Sequence, residues 1–127
     1  DCMVVRVGDI CYVLPVDAIQ RILQTDRVVP ISAARDQRML NMDEDGMVPI
    51  RVLQDHPSNA GSKLFVVVSS NDTRLAIPVD ELVGQQLVLL RPLEGMLSTV
   101  RNMSGVAILS GGEVGMVVAV SQMANAA

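Results

Sequence analysis

Apolar positions along the chain fall into short blocks: MVVRV, ICYVL, MVPIRVL, LFVVV, TRLAI, GVAIL and EVGMVVAV, separated by glycine, asparagine, aspartate or proline. Short blocks rich in Val and Ile with such punctuation read as strands. MVVRV and ICYVL flank Gly8 and Asp9, a pair suited to a tight hairpin turn, and LFVVVSS and TRLAI flank Asn71 and Asp72 in the same way. Two further hairpins are expected. RMLNMD and MVPIRVL flank Glu44, Asp45 and Gly46, while GVAILS and EVGMVVAV flank Gly111 and Gly112.

The pattern occurs twice. Displaced by sixty-three positions, Val4, Val5, Asp9, Pro15, Val16 and Asp17 fall on Val67, Val68, Asp72, Pro78, Val79 and Asp80. Each copy starts as a hairpin that should end at Pro15 or Pro78, since proline cannot donate to a ladder. Asp17 and Asp80 are then placed as potential N-caps, and Asp17 has Gln20 three residues on. A short helical turn is expected after each, interrupted in the second copy by Gly84. Four or five short strands per copy close most economically into a small barrel that hides its edges. A unit of about 60 residues is marginal alone, so two should share a core. The expected architecture is all-β: one domain over residues 1–127, built from duplicated subdomains of about 1–60 and 61–127 related by a pseudo-twofold, with strands open to exchange between them.

Composition narrows the function. Half the residues are apolar but only one Tyr and one Phe are aromatic, so the core must be aliphatic. Apolar runs are far shorter than the roughly 18 residues of a membrane span, and a soluble domain without membrane insertion is expected. A net charge of −4 with little aromatic surface argues against nucleic acid. Cys2 and Cys11 are too few and too oddly spaced for a disulfide scaffold or a zinc site and read as reduced thiols in strands. The chain starts with Asp and has no signal-like opening, so it reads as part of something longer.

Candidate chemistry is sparse. His56, the one histidine, sits before a proline among turn residues in QDHPSNAGS and reads as a loop histidine. The acidic tip MDEDG lacks the alternating ligands and distant Glu of a calcium loop, and GSK at 61–63 lacks the rest of a phosphate loop. No catalytic residue, cofactor site or metal site is expected. A ligand-binding barrel and an RNA-binding barrel are the rival classes. The first would need convergent polar groups, and the second a basic, aromatic surface.

The run VDELVGQQLVLLRPLEGMLSTVRNMSGVAILSGGEVGMVVAV, residues 79 to 120, resembles the end of the regulatory domain of the chemotaxis histidine kinase CheA. The shared features are GQQ after the aspartate, a PL segment, a hairpin like SGATILGDG, and a terminal apolar strand. VVRVGDICYVLPVDAIQRIL and MVPIRVL also resemble that domain. The stand-alone adaptor CheW is similar and shares the fold, though GQQ and SGVAILSGG favour the kinase. The chain departs from the pattern at Val106, at Ser110 and Gly111, and across Ala119 to Ser121.

The resemblance implies two five-stranded barrels of the Src-homology-3 type and a non-catalytic scaffold. It also implies binding of a CheW-type adaptor and coupling to the cytoplasmic tips of chemoreceptors, hence a cytoplasmic location at membrane receptor arrays. A free-standing CheW-type adaptor is the alternative.

A partner surface can be sought in the pattern itself. A two-residue turn at Asp45 and Gly46 would place Met42 opposite Pro49 and Leu40 opposite Arg51. Val48, Ile50 and Val52 would then face the core, leaving Leu40, Met42, Pro49 and Arg51 outward as a candidate docking face.

Overall fold

A computed structural model describes residues 1–30, 38–54, 64–92 and 102–125. His56, the Gly61–Lys63 stretch and Leu93 of the PL segment lie outside the described residues.

The apolar blocks are strands. The first half holds β1 (Cys2–Val7), β2 (Ile10–Pro15), β3 (Ile19–Gln24), β4 (Val28–Pro30), β5 (Arg38–Asn41) and β6 (Met47–Pro49). The second holds β7 (Leu64–Ser70), β8 (Thr73–Val79), β9 (Glu81–Gln86), β10 (Leu89–Pro92), β11 (Met103–Ile108) and β12 (Val114–Val118). A closing helix, α1 (Val120–Asn125), follows. Both tight hairpins form as expected, with Val7 paired to Ile10 and Ser70 to Thr73. Their turns differ: Gly8 has φ +61, whereas Asn71 and Asp72 are both left-handed, at +52 and +65. Glycine first suits a type II′ turn and two left-handed residues suit type I′, the two forms that match strand twist.

β1 and β2 do not pair with the rest of the first half. They lie inside a six-stranded sheet in the order β10-β11-β12-β2-β1-β9. β7 and β8 instead pair with β3, and β8 meets the β4-β5-β6 sheet through a parallel bridge between Ile50 and Ala76. The two assemblies have the same plan. In one, the end strands β9 and β10 are halves of a single bent run, and β12 meets β2 in parallel, Val117 beside Val13. In the other, β3 and β4 form the bent run and β6 continues into the parallel bridge. These are two small barrels of the Src-homology-3 kind.

Three apolar cores hold them. Val4, Val13, Ala107 and Leu109 fill the first barrel, with Cys2, Cys11, Val88 and Val117 packed against them. Leu40, Met42, Val48, Ile50, Phe65, Val67 and Ala76 fill the second. The third core lies between them, where Val5, Val7, Tyr12 and Leu14 meet Val66, Val68, Leu75, Ile77 and the buried Val120, Met123 and Ala124 of α1. LFVVV is continuously apolar because its two faces serve different cores: Phe65 and Val67 point into a barrel, Val66 and Val68 into the seam. Each fully buried Val or Leu contributes about 1.5–3 kcal/mol.

The short helical turn expected after Pro15 forms, as a 3-10 turn, Val16–Ala18, but three other expectations fail. Asp17 lies inside that turn and makes no capping bond, and β3 starts at Ile19. After Asp80 the chain is immediately extended as β9. Gly84, at φ +138, sits at a bulge where Leu82 and Gly84 face Val5 and Val4 and Val83 is the extra residue. Pairing with β7 and β1 overrides the local capping pattern.

The third failure concerns β5 and β6. Their turn is a 3-10 turn, Asp43–Asp45, closed by Gly46 at φ +85, and the register is Met39↔Pro49, Leu40↔Val48, Asn41↔Met47. This differs from the expected register by an odd number of residues, which exchanges the faces. Leu40 is 0% exposed and Met42 7%, both in the core beside Val48 and Ile50. Pro49 and Arg51 remain half-buried, and Val52 is on the surface.

Candidate functional site

The described residues offer little for covalent chemistry. They contain no group of three His, Cys, Asp or Glu placed to hold a metal. Cys2 and Cys11 are free, half-buried thiols on β1 and β2. Two of the three carboxylates of the acidic tip are tied down: Asp43 accepts from Arg27 and Asp45 accepts from Arg21 at 2.9 Å, while Arg74 donates to the Asp45 backbone carbonyl at 2.7 Å. A groove of about 460 Å³ opens among Cys2, Val13, Leu90, Val117, Ser69 and Ser104, apolar apart from its serines and without a convergent ionisable pair. No helix of the described residues is long and apolar enough to cross a membrane.

What the first barrel does present is an apolar row on its outer face. Leu89 pairs with Ile108, and Ile108 with Val114, so the three side chains lie side by side across β10, β11 and β12. They are 55%, 39% and 62% exposed. The parallel register of β12 on β2 sets Val114 beside Ile10, which is also exposed. Leu87, in the bend before β10, is the most exposed large apolar residue described, at 78%.

The next row on this face is Arg91, Val106, Met116 and Tyr12, and it runs from solvent into the seam. Arg91 is exposed, Val106 and Met116 are half-buried, and Tyr12 is buried, its phenol pushed to a higher pKa by desolvation. Asp9 and Glu113 stand exposed in sequence beside Ile10 and Val114, so the row has carboxylates toward its turn end and a guanidinium beyond Leu89.

Local sequence builds this face. Leu109 donates to Glu113 at 2.8 Å and Gly112, at φ +86, donates back to Leu109 at 2.9 Å, closing the β11–β12 hairpin. The Ser110 amide donates to Gln86 Oε1 at 2.9 Å, so the last residue of GQQ pins the hairpin tip to the end of β9. Gly105 allows β10 to approach β11: a Cβ there would lie 2.4 Å from the Arg91 carbonyl oxygen.

The corresponding place on the second barrel is more polar. There Asn41 pairs with the exposed Met47, the Asn41 backbone amide donates to the Arg27 carbonyl, and Arg27 is engaged with Asp43. The same backbone plan therefore carries one apolar side chain beside polar ones in one barrel and three apolar ones in the other, so the fold alone does not demand Leu89, Ile108 and Val114.

The expected docking residues are not brought together on a surface. Leu40 and Met42 are core, while Arg51 donates to its neighbour's carbonyl, Ile50 O, at 3.1 Å. The outward row on that hairpin is Val29, Met39 and Pro49. Leu89, Ile108 and Val114 were missed: a two-residue turn at Gly111 and Gly112 would set Leu109 opposite Val114, whereas the loop spans residues 110–112, with Leu109 bonded to Glu113, and so sets Ile108 opposite Val114.

Comparison with known proteins agrees with this architecture. The family model described as CheW-like domain matches residues 1–127. Chemotaxis protein CheA of Klebsiella aerogenes is 32% identical over 98% of the chain and 20% of its own length. CheA of Salmonella typhimurium is 27% identical over 97% of the chain and 19% of its own length. The chain thus spans about a fifth of these curated relatives. Among solved structures, the scaffolding protein TtCheW from Thermoanaerobacter tengcongensis superposes with a TM-score of 0.67 at 12% identity, covering 92% of this chain and 86% of that one.

Proposed function

Because the chain belongs to the CheW-like domain family, we propose that it is the regulatory domain of a chemotaxis histidine kinase of the CheA kind. In this reading it is a non-catalytic scaffold that couples the kinase to a CheW-type adaptor and to the cytoplasmic tips of chemoreceptors, in the cytoplasm beside the receptor arrays. Support comes from CheA relatives that match nearly the whole chain, and from the GQQ and SGVAILSGG elements at the face described above. We also read residues 1–127 as one domain of two duplicated subdomains, about 1–60 and 61–127, that have exchanged their first hairpins; the matching strand orders support this.

The observation that carries the scaffold reading is the row Leu89, Ile108 and Val114, exposed on a rigid sheet and flanked by charge. Contiguous apolar surface of this kind marks an interaction site. The test is titration calorimetry with a CheW-type adaptor. Leu89→Asp with Val114→Asp should remove binding and leave the thermal midpoint within a few degrees of the parent, since both side chains are more than half in water already. A folded double variant that still binds the adaptor fully would place the docking surface elsewhere.

The likeness to a CheW scaffolding structure favours a second reading, a free-standing adaptor. The coding sequence immediately upstream of Asp1 distinguishes them: an ATP-binding kinase segment there identifies the regulatory domain, and an initiator methionine with a short tail identifies the adaptor.

A further inference from the structure

β10 is the outermost strand of the six-stranded sheet. It pairs with β11 on one side, and no described residue pairs with it on the other. All four of its residues are exposed, including Leu90. An edge of this sort presents alternate N–H and C=O groups to solvent, and proteins usually blunt or cover one that is also apolar. Here the devices among the described residues are the shortness of the strand, Arg91 and the terminal Pro92.

Arg6, Arg21 and Arg27 each have a carboxylate within salt-bridge distance, whereas Arg91, like Arg38, Arg51 and Arg74, has none among the described residues. It lies two positions along β10 from Leu89 and therefore on the same face as the apolar row. The equivalent edge of the second barrel is the shorter β4, preceded by Arg27, whose charge Asp43 already meets. Both edges are apolar, β4 reading Val-Val-Pro, but β10 is one residue longer and alone carries within the strand a guanidinium with no carboxylate partner among the described residues.

On the reading that this domain docks an adaptor, we infer that the adaptor supplies an extended segment that adds to β10 as a further strand. Its apolar side chains would continue the Leu89, Ile108, Val114 row, and a carboxylate would meet Arg91. Area argues for a strand over simple face-to-face contact. The three row side chains expose on the order of 300 Å² of apolar surface, well short of the roughly 800 Å² per partner of a standard interface. Main-chain hydrogen bonds along an edge supply affinity that so small a face lacks, and alternate side chains supply selectivity. The same shortfall disfavours a stable dimer of this chain through the row.

Amide hydrogen exchange of the full chain, free and saturated with a CheW-type adaptor, tests this without any substitution. The outward-facing amides of β10 should exchange at least tenfold more slowly in the complex, and Arg91→Glu should weaken binding about tenfold while Arg91→Lys largely preserves it. Tight binding with unchanged exchange along β10 would overturn strand addition and leave the scaffold reading intact. Unaltered affinity of Arg91→Glu would overturn the carboxylate contact. No binding of the adaptor to the parent chain would overturn the scaffold reading and this inference together.

Discussion

The Asp80 carboxylate accepts a hydrogen bond from the Gly8 amide at 2.6 Å, so an aspartate of the second repeat holds the turn of the first. Around it, the Asp80 amide donates to the Arg6 carbonyl at 2.8 Å, Arg6 bonds Glu81 and the Gly8 carbonyl, and Gln54 donates to the Val7 carbonyl at 2.6 Å. The Arg6 guanidinium is pushed further above its already high pKa by the Glu81 hydrogen bond and charge, so it stays a cation at any accessible pH. These contacts fix β1 against the start of β9. Asp17, which matches Asp80 in the repeat, is an exposed residue of a 3-10 turn with no such bond.

Asp80→Ala should therefore destabilise the domain by about 1–2 kcal/mol, the range for losing a charge-assisted bond to a backbone amide. Asp17→Ala should stay within about 0.5 kcal/mol. Urea unfolding of both variants checks the asymmetry, and equal losses would contradict it.

Leu40→Ala should cost about 2–5 kcal/mol, because the side chain is fully buried beside Phe65 and Val48. Met42→Lys should unfold much of the population at room temperature, since it places an unpaired cation in the same core. Circular dichroism melts decide this. A folded Met42→Lys protein with a native midpoint would return Met42 to the surface.

Gly105→Ala should force β10 away from β11, because the added carbon meets backbone and not a flexible side chain. Gly112→Ala has open space but must adopt φ +86, and should lose about 1 kcal/mol from backbone strain alone. In hydrogen exchange, the first variant should deprotect the amides of the β10–β11 ladder and the second should leave that ladder intact.

Tyr12 is the one tyrosine in the chain, so phenolate absorbance reports it alone. Burial raises its pKa in the folded state above the unfolded value near 10. The folded protein then holds the proton that the unfolded chain releases. Its stabilising contribution is complete below about pH 10 and is lost as pH rises through the folded pKa. The titration of native protein should lie alkaline of that in urea, and stability should fall on the alkaline side.

Turn chemistry and block length made the hairpins legible. Gly8 with Asp9, Asn71 with Asp72, and Gly111 with Gly112 are residues whose backbone freedom dictates where a strand reverses, and those turns stand where expected. β3 and β9 were not legible. Asp17 with Gln20 reads locally as a helix start, and only ladder partners distant in sequence, Val66 to Val68 for β3 and Val4 to Val5 for β9, make these segments extended. The sides of β5 and β6 were misread because parity depends on a loop length that an Asp-Glu-Asp-Gly tip leaves open. Helix α1 was hidden in an apolar tail, where Val120, Met123 and Ala124 at helical spacing were the available signal.

The nesting of one barrel inside the other in sequence has a consequence for biosynthesis. β3 to β8 run without interruption from Ile19 to Val79, so their barrel can assemble as soon as that stretch leaves the ribosome. β1 and β2 emerge first, yet their partners β9 and β12 are made later, β12 near the far end of the chain. A lone two-stranded hairpin is marginal in water, and ladders between distant segments close slowly. This first hairpin therefore has no neighbouring ladder until β9 and β12 exist, and translation stalled between them would leave its valines open to chaperones and to aggregation.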